Sequence, residues 1–511
     1  MTGLTDAYPL SLDVLGWEEA EWLFIELVGA QRCEDRDAVR QIVAACGRLP
    51  LAIRLVAGRL RHHRGELLTE VAADFADQTA ALDALAAEHL SVRAAFEWSY
   101  RPLTDAQRRA FRLLGWHPGP VITPMVIAAV ADVPPPQGRQ LLRELADHNL
   151  LEQLSAAGIP GGPRYRMHDL VRLYARERAA AEELATERAA VVDRLIGSYL
   201  AIVREADRLL RPYVLDDAGQ RTGRKAVLAF ADASQARTWL TAERHNLLGC
   251  VRATSPSTEA ADLSTILAMH FRDFGFWSDV RYLYSEALTA YRHLGDRRGE
   301  VDALRGLGQV GWLVGESSPA REYYTQALTL ARHLGDRRVE AEALRGLGEV
   351  EWFAGEYGPA REYYTQALTL ARHLGDRRVE ADTLWGLGEV ERRVGEYGPA
   401  REYHTQALTL ARHFGYRRAE ALGLWGLGEV ERFAGEYGPA REYYTQALTL
   451  ARHLGDRRAE ADALWGLGHL SIDTAERGRA CELWRKALEI YEDLGVPFAE
   501  TVRAAISQLD C

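Results

Sequence analysis

The sequence predicts a mainly α-helical chain whose C-terminal half is a solenoid of helix pairs, and three observations carry that prediction. A phrase close to LGEVERFAGEYGPAREYYTQALTLARHLGDRR recurs, its glycine falling at Gly308, Gly348, Gly388, Gly428 and Gly468, 40 residues apart each time. A fixed period of about 20 to 50 residues marks repeated units that bury their apolar faces only by stacking. Within the phrase, Ala440, Tyr444, Ala447 and Leu448 lie at i, i+4, i+7 and i+8, the stripe of an amphipathic helix. Ahead of the repeats, three short helical patterns run into two β-like stretches around a Gly/Pro-rich turn.

From the N-terminus, Trp17–Val28, Asp37–Cys46 and Leu51–Arg61 are helical by period, with a break at Gly47-Arg48-Leu49-Pro50. Further helices are predicted over 104–115, 124–132 and 136–148. Strands follow at Leu150–Leu154 and Arg164–Met167, joined by the turn Ser155–Pro163. Three helices followed by a hairpin is the order of a winged helix.

Each repeat then reads as two helices. Helix A carries Leu424, Leu427 and Val430 on one face and stops at Gly435, which can take the left-handed conformation that ends a helix. Pro439 falls in the first turn of helix B, where a missing N–H costs nothing. Helix B runs to Leu454 and Gly455, and Asp456 is placed to cap the next helix A. Gly426 and Gly428 sit inside helix A, where each costs about 1 kcal/mol against Ala. Their recurrence predicts an approach too close for a side chain. Near-identical copies imply an array that can change length without changing fold.

Composition excludes several classes. A formal charge of −11 over 511 residues argues against coating nucleic acid, which needs dense Lys and Arg. Lys225 and Lys486 are the only lysines. Cys33, Cys46, Cys250, Cys481 and Cys511 are scattered, with neither a disulfide framework nor metal-ligand spacing. No signal segment and no apolar run of about 18 residues is present, so the chain reads as reduced and cytoplasmic.

Leu427-Gly428, Gly435, Tyr437, Ala440, Tyr444 and Ala447-Leu448 resemble the tetratricopeptide consensus in order and spacing. Two features depart from it. Glu351, Glu391 and Glu431 stand where an aromatic is usual, and a turn ending in Leu-Gly-Asp replaces the closing proline, as in the 40-residue variety of the repeat. Two further phrases, CGRLPLAIRLVAGRL with Pro50 and RYRMHDLVRLYARE with Met167-His168-Asp169, resemble the Gly-x-Pro and Met-His-Asp motifs of the NB-ARC (STAND-class) switch ATPases. The whole chain looks like the C-terminal part of the actinobacterial regulators that join this module to tetratricopeptide repeats. That resemblance implies an ARC-like helical domain at 1–88, a winged-helix domain at 89–182, a helical connector at 183–260 and repeats at 261–511.

In that family the proline packs on adenine and the histidine meets the β-phosphate of ADP, so Pro50 and His168 are the expected nucleotide contacts. However, the 511 residues hold no G-x-x-x-x-G-K-[ST] loop and no strand ending in paired carboxylates for Mg²⁺. The chain is expected to begin just after the family's P-loop domain and not to act as an enzyme. It needs no cofactor alone, and ADP or ATP engages only if a partner supplies a P-loop domain. His168 has a second reading, as the cap of the helix that follows it. DNA reading is not expected, because Arg139 and Arg143 are offset by Glu144 and Asp147 on the third helix.

The family's groove is lined by helix A. By position, the expected protein- or peptide-binding residues are Arg305, Arg345, Trp385, Trp425 and Trp465 in one row, Glu349, Glu389 and Glu429 in a second, and Trp312, Trp352, Arg392 and Arg432 in a third. Trp and Arg dominate binding hot spots. The same residues admit another reading, with the tryptophans packing between units and the arginines pairing with the glutamates. Two functions follow: the arm and sensor part of a nucleotide-switched regulator, or a free-standing scaffold with no nucleotide role.

Overall fold

The computed structural model describes residues 15–62, 65–73, 93, 96–211, 226–496 and 498–509. The expected boundary at 88/89 lies outside them. By internal contacts the chain divides into two compact units, residues 1–254 and 255–511. The expected connector does not stand apart: its two long helices belong to the first unit, and the helix starting at Thr258 belongs to the second.

The first unit opens with α1 (Trp17–Val28), α2 (Arg36–Ala45) and α3 (Pro50–His62). Phe24, Ile42, Ile53 and Val56 close one core, which also takes in Trp98. Asp35 caps α2 by accepting from the Asp37 and Ala38 amides. Next come α4 (Asp105–Leu114), α5 (Pro124–Ala131) and α6 (Pro135–Asp147), then β1 (Glu152–Leu154) paired antiparallel with β2 (Arg164–Arg166), Gln153 opposite Tyr165. Ile122 bridges Tyr165. Three helices followed by a hairpin is the order of elements that the sequence predicts. Helices α7 (Asp169–Glu182), α8 (Ala185–Leu210) and α9 (Ala233–Ala253) complete the unit.

A buried polar cluster ties α9 to the hairpin. Glu243 of α9 pairs with Arg164 of β2, both almost fully buried. Its other oxygen accepts from the Tyr199 hydroxyl at 3.0 Å and the Asn246 amide at 2.7 Å. Asn246 also clasps the Val121 backbone, donating to its carbonyl and accepting from its N–H. His117 is hydrogen-bonded to the same carbonyl through Nε2. A buried carboxylate is tolerable only with such complete pairing.

The second unit consists of α10 (Thr258–Asp273) and α11 (Trp277–Leu294), then five A–B pairs. These are α12 (Arg297–Leu313) with α13 (Ser317–Leu334), α14 (Arg337–Ala354) with α15 (Tyr357–Leu374), and α16 (Arg377–Arg393) with α17 (Tyr397–Phe414). After them come α18 (Arg417–Phe433) with α19 (Tyr437–Leu454), α20 (Arg457–Asp473) with α21 (Arg477–Asp493), and a last helix, α22 (Phe498–Gln508). Asp296, Asp336, Asp376 and Asp456 cap their A helices through side-chain bonds. In the fourth pair, Tyr416 takes that position and makes no such bond.

The recurrent glycines have a more specific cause than close helix approach. In the first four pairs the aromatic ring of helix B is wedged between glycines of two successive A helices. A Cβ at Gly308 would lie 2.8 Å from the Tyr324 ring, one at Gly348 2.8 Å from Tyr364, and one at Gly428 2.8 Å from Tyr444. The second glycine of the next helix A meets the same ring from the other side: Gly346 meets Tyr324, Gly386 meets Tyr364, and Gly466 meets Tyr444. His404 fills that slot in the third pair, between Gly388 and Gly426. The departures at Glu351, Glu391 and Glu431 are explained as well. Each glutamate accepts two bonds of 2.6–2.8 Å from an arginine of the preceding helix B, respectively Arg321, Arg361 and Arg401.

Cys481 is disulfide-bonded, against the expectation of an all-thiol chain, whereas Cys33, Cys46 and Cys250 are free and buried. Among the described residues no helix is long and apolar enough to cross a membrane.

Candidate functional site

Successive A helices pack on one another along the array (α12 on α14, α14 on α16, α16 on α18, α18 on α20), so they form its inner side. The three expected rows lie there, on the same face of each A helix. Their side chains are largely engaged with each other. Arg305 pairs with Glu342 and, at 3.0 Å, with Asp302. Arg345 pairs with Glu349. Arg392 holds Glu389 at 2.6 Å, with only 6% and 2% of the two side chains exposed. Arg432 pairs with Asp473 at 2.9 Å and with Glu429 at 3.4 Å, while the Tyr444 hydroxyl donates to Glu429 at 2.5 Å. None of the twelve expected groove residues is freely exposed.

The tryptophans divide into two sets. Trp425 donates from Nε1 to the Asp462 carbonyl at 3.1 Å. Trp465 packs on Trp484, ring centroids 4.9 Å apart, and on Phe498. Trp425 thus packs between units, as the second sequence reading has it, while Trp465 packs within its own pair and on α22. Trp312, Trp352 and Trp385 differ. Their indole N–H groups are buried without a hydrogen-bond partner among the described residues, and so are the Nε–H groups of Arg345 and Arg432. All five unpartnered groups are donors. Leaving such a group unpaired costs about 1 to 3 kcal/mol, so a row of them on one surface calls for an explanation.

Electrostatics separate the two central glutamates. Burial would raise Glu389, but the Arg392 guanidinium and His404 beside it override burial and hold its carboxyl down at about 2. At Glu349 burial wins over Arg345, and the carboxyl is raised above its ordinary range. The lining thus keeps one tightly held anion and one that protonates more readily.

Pro50 and His168 fall on separate elements of the first unit. Pro50 is exposed at the start of α3, and His168 is exposed at the N-terminus of α7. The His168 Nδ1 accepts from the Leu170 amide at 3.3 Å, the cap that the second reading describes. Arg54, one turn past Pro50, and His168 both lie within electrostatic reach of Glu152, whose carboxyl is lowered chiefly by its bond to Arg166.

A feature that the sequence reading missed is an open depression of about 770 Å³ on the helix-B side, between Arg412, Glu420, Arg441, Gln446 and His453. A smaller copy lies between Glu340, Leu344, Gln366 and Thr369. Its recurrence follows from the repeat and gives no convergent chemistry. Among the described residues no group of His, Cys, Asp and Glu could hold a metal ion.

A tetratricopeptide repeat family model matches residues 320–373, 339–413 and 379–453. The regulatory protein AfsR of Streptomyces coelicolor is 42% identical over 260 residues, 50% of this chain and 26% of that protein. AfsR of Streptomyces griseus is 42% identical over 272 residues, 52% of this chain and 27% of its own length. The match thus spans about a quarter of these relatives. Among solved structures, a STAND protein with a tetratricopeptide repeat sensor from Pyrococcus horikoshii aligns over 97% of this chain and 69% of its own, with 16% identity and a TM-score of 0.42.

Proposed function

We propose that this chain is the arm and sensor part of a regulatory protein, which captures a protein or peptide partner on the inner face of its tetratricopeptide array and performs no catalysis. The observation that carries the reading is the set of five buried donors, Trp312, Arg345, Trp352, Trp385 and Arg432, in a lining whose acceptors are already paired. Such a surface favours an acceptor-rich partner: an extended peptide that offers backbone carbonyls and Asp or Glu side chains. The 42% identity to regulatory proteins over half the chain supports the regulatory part.

The test is selection of random dodecapeptides displayed on phage against the full chain, followed by calorimetry of the enriched sequences. Enrichment in Asp and Glu is expected. Trp385→Phe, which keeps a ring but removes the N–H, should weaken binding by about 1 kcal/mol or more, while Gln366→Ala on the outer side leaves it unchanged. Binding that depends on Gln366 and ignores Trp385 would refute the reading.

The cofactor reading is narrower. In this proposal the chain alone needs no cofactor, and ADP or ATP engages Pro50 and His168 only when a partner supplies a P-loop domain. One observation favours the alternative of a stand-alone scaffold with no nucleotide role: His168 is already used as a helix cap.

A further inference from the structure

The two ends of the repeat array meet. The Trp277 indole, at the start of α11, donates from Nε1 to the Leu494 carbonyl just past α21, at 2.8 Å and 217 residues away in sequence. Its ring packs against the C-terminal core that contains Tyr491, Val496 and Val502. Gly275 presses on the same carbonyl. Its φ is +80°, and a Cβ there would lie 2.9 Å from the Leu494 oxygen. After ten intervening helices, α12 to α21, the array has completed one turn and closed on itself.

The inner face of the closed turn is densely packed. Arg345 and Glu349 are 19% and 18% exposed, and the five unpartnered donors are buried. Among the described residues the contact that shuts the turn includes one neutral hydrogen bond, one partly buried ring and the close approach of Gly275. Interfaces in the middle of the array, by contrast, carry wedged aromatic rings and paired charges, as at Tyr364 and at Arg361–Glu391. A weak seam in an otherwise continuous stack is where subglobal opening begins.

We propose that the Trp277–Leu494 contact is a latch, which holds the array in a closed turn and whose release exposes the inner donors to the partner. The latch stands on its own geometry, and only its consequence for a partner rests on the inner-face reading. Release lets the first and last helix pairs separate while every helix stays folded. Partner binding then selects the open state, because only there do the buried N–H groups gain acceptors.

The experiment reads the latch without any peptide. Spin labels on cysteines introduced by Glu286→Cys and Glu489→Cys in the full chain report the separation of the two ends by double electron–electron resonance. A single narrow distance distribution is expected. Trp277→Ala, and independently Gly275→Val, should lengthen or broaden it at unchanged helical content by circular dichroism. The same narrow distribution in both variants would overturn the latch. If either variant fails to fold, hydrogen exchange of the unsubstituted chain decides. The amides of Trp277, Gly495 and Val496, all hydrogen-bonded, should exchange together at least about tenfold faster than those of α14 to α17. Exchange at the rate of those central helices would overturn the proposal as well.

Discussion

The first unit and the repeats bury charge in different ways. In the first unit one cluster serves for a whole interface: Glu243 and Asn246 of α9, Arg164, Tyr199 and His117 come from four separate segments, and each depends on the others. In the repeats the same arginine–glutamate pair is made again and again between neighbouring helices, at Arg321–Glu351, Arg361–Glu391 and Arg401–Glu431. The arginine of each of these pairs keeps 43–46% of its side chain in solvent. Loss of one such pair is a local event, whereas loss of Glu243 is not. Tolerance to change should therefore be high along the array and low where α9 meets the hairpin.

The largest effect that sharpens this contrast is expected for Glu243→Ala. It leaves the Arg164 guanidinium buried without its anion, a loss of about 3 to 5 kcal/mol. Hydrogen exchange of the full chain should show protection falling in α8, α9 and the hairpin and little changed in α14 to α19. An equal fall in the repeats would break the contrast.

A smaller effect comes from pH. Burial, with Arg172 nearby, holds the His117 imidazole down at about 3. Because the folded value lies below the ordinary one, the unfolded chain takes up a proton first as pH falls. The first unit should then lose stability from about pH 6.5 downward, at up to about 1.4 kcal/mol per pH unit. Glu389 has the depressed-carboxylate sign. Its contribution is complete above about pH 4.5 and disappears as pH falls toward 2. Between pH 6.5 and 5, exchange protection should fall in the first unit and hold around Glu389; His117→Asn should abolish the difference.

The smallest effect is expected for Glu391→Gln, which weakens one half-exposed pair in a series. A change within about 1 kcal/mol by chemical denaturation is the expected outcome. A loss as large as that of Glu243→Ala would mean that the array is not a sum of neighbours.

Much of this was legible in the sequence because it is local. The bounds of α1 and the A–B register follow from period and caps, and the order of three helices and a hairpin followed from turn residues. The close approach at Gly426 and Gly428 was legible too, but not its cause, since the rings that fill it belong to other helices: His404 and Tyr444. The expected rows fall on A helices, yet pairing within them was not readable. Arg345 takes the glutamate four residues on, whereas Arg305 reaches forward to Glu342 of the next unit. Identical chemistry at several separations leaves that choice to packing. Contacts such as Asn246 with Val121, or Trp277 with Leu494, join segments too distant for any period to reveal.

The central claim is that the inner face of the array is where this chain meets its partner. Hydrogen exchange of the full chain, with and without an acidic peptide from the phage selection, tests it most directly. Added protection confined to α12, α14, α16, α18 and α20 is the predicted result. Protection instead around Arg412, Arg441 and His453 on the helix-B side, or confined to α3 and α7 of the first unit, would contradict it.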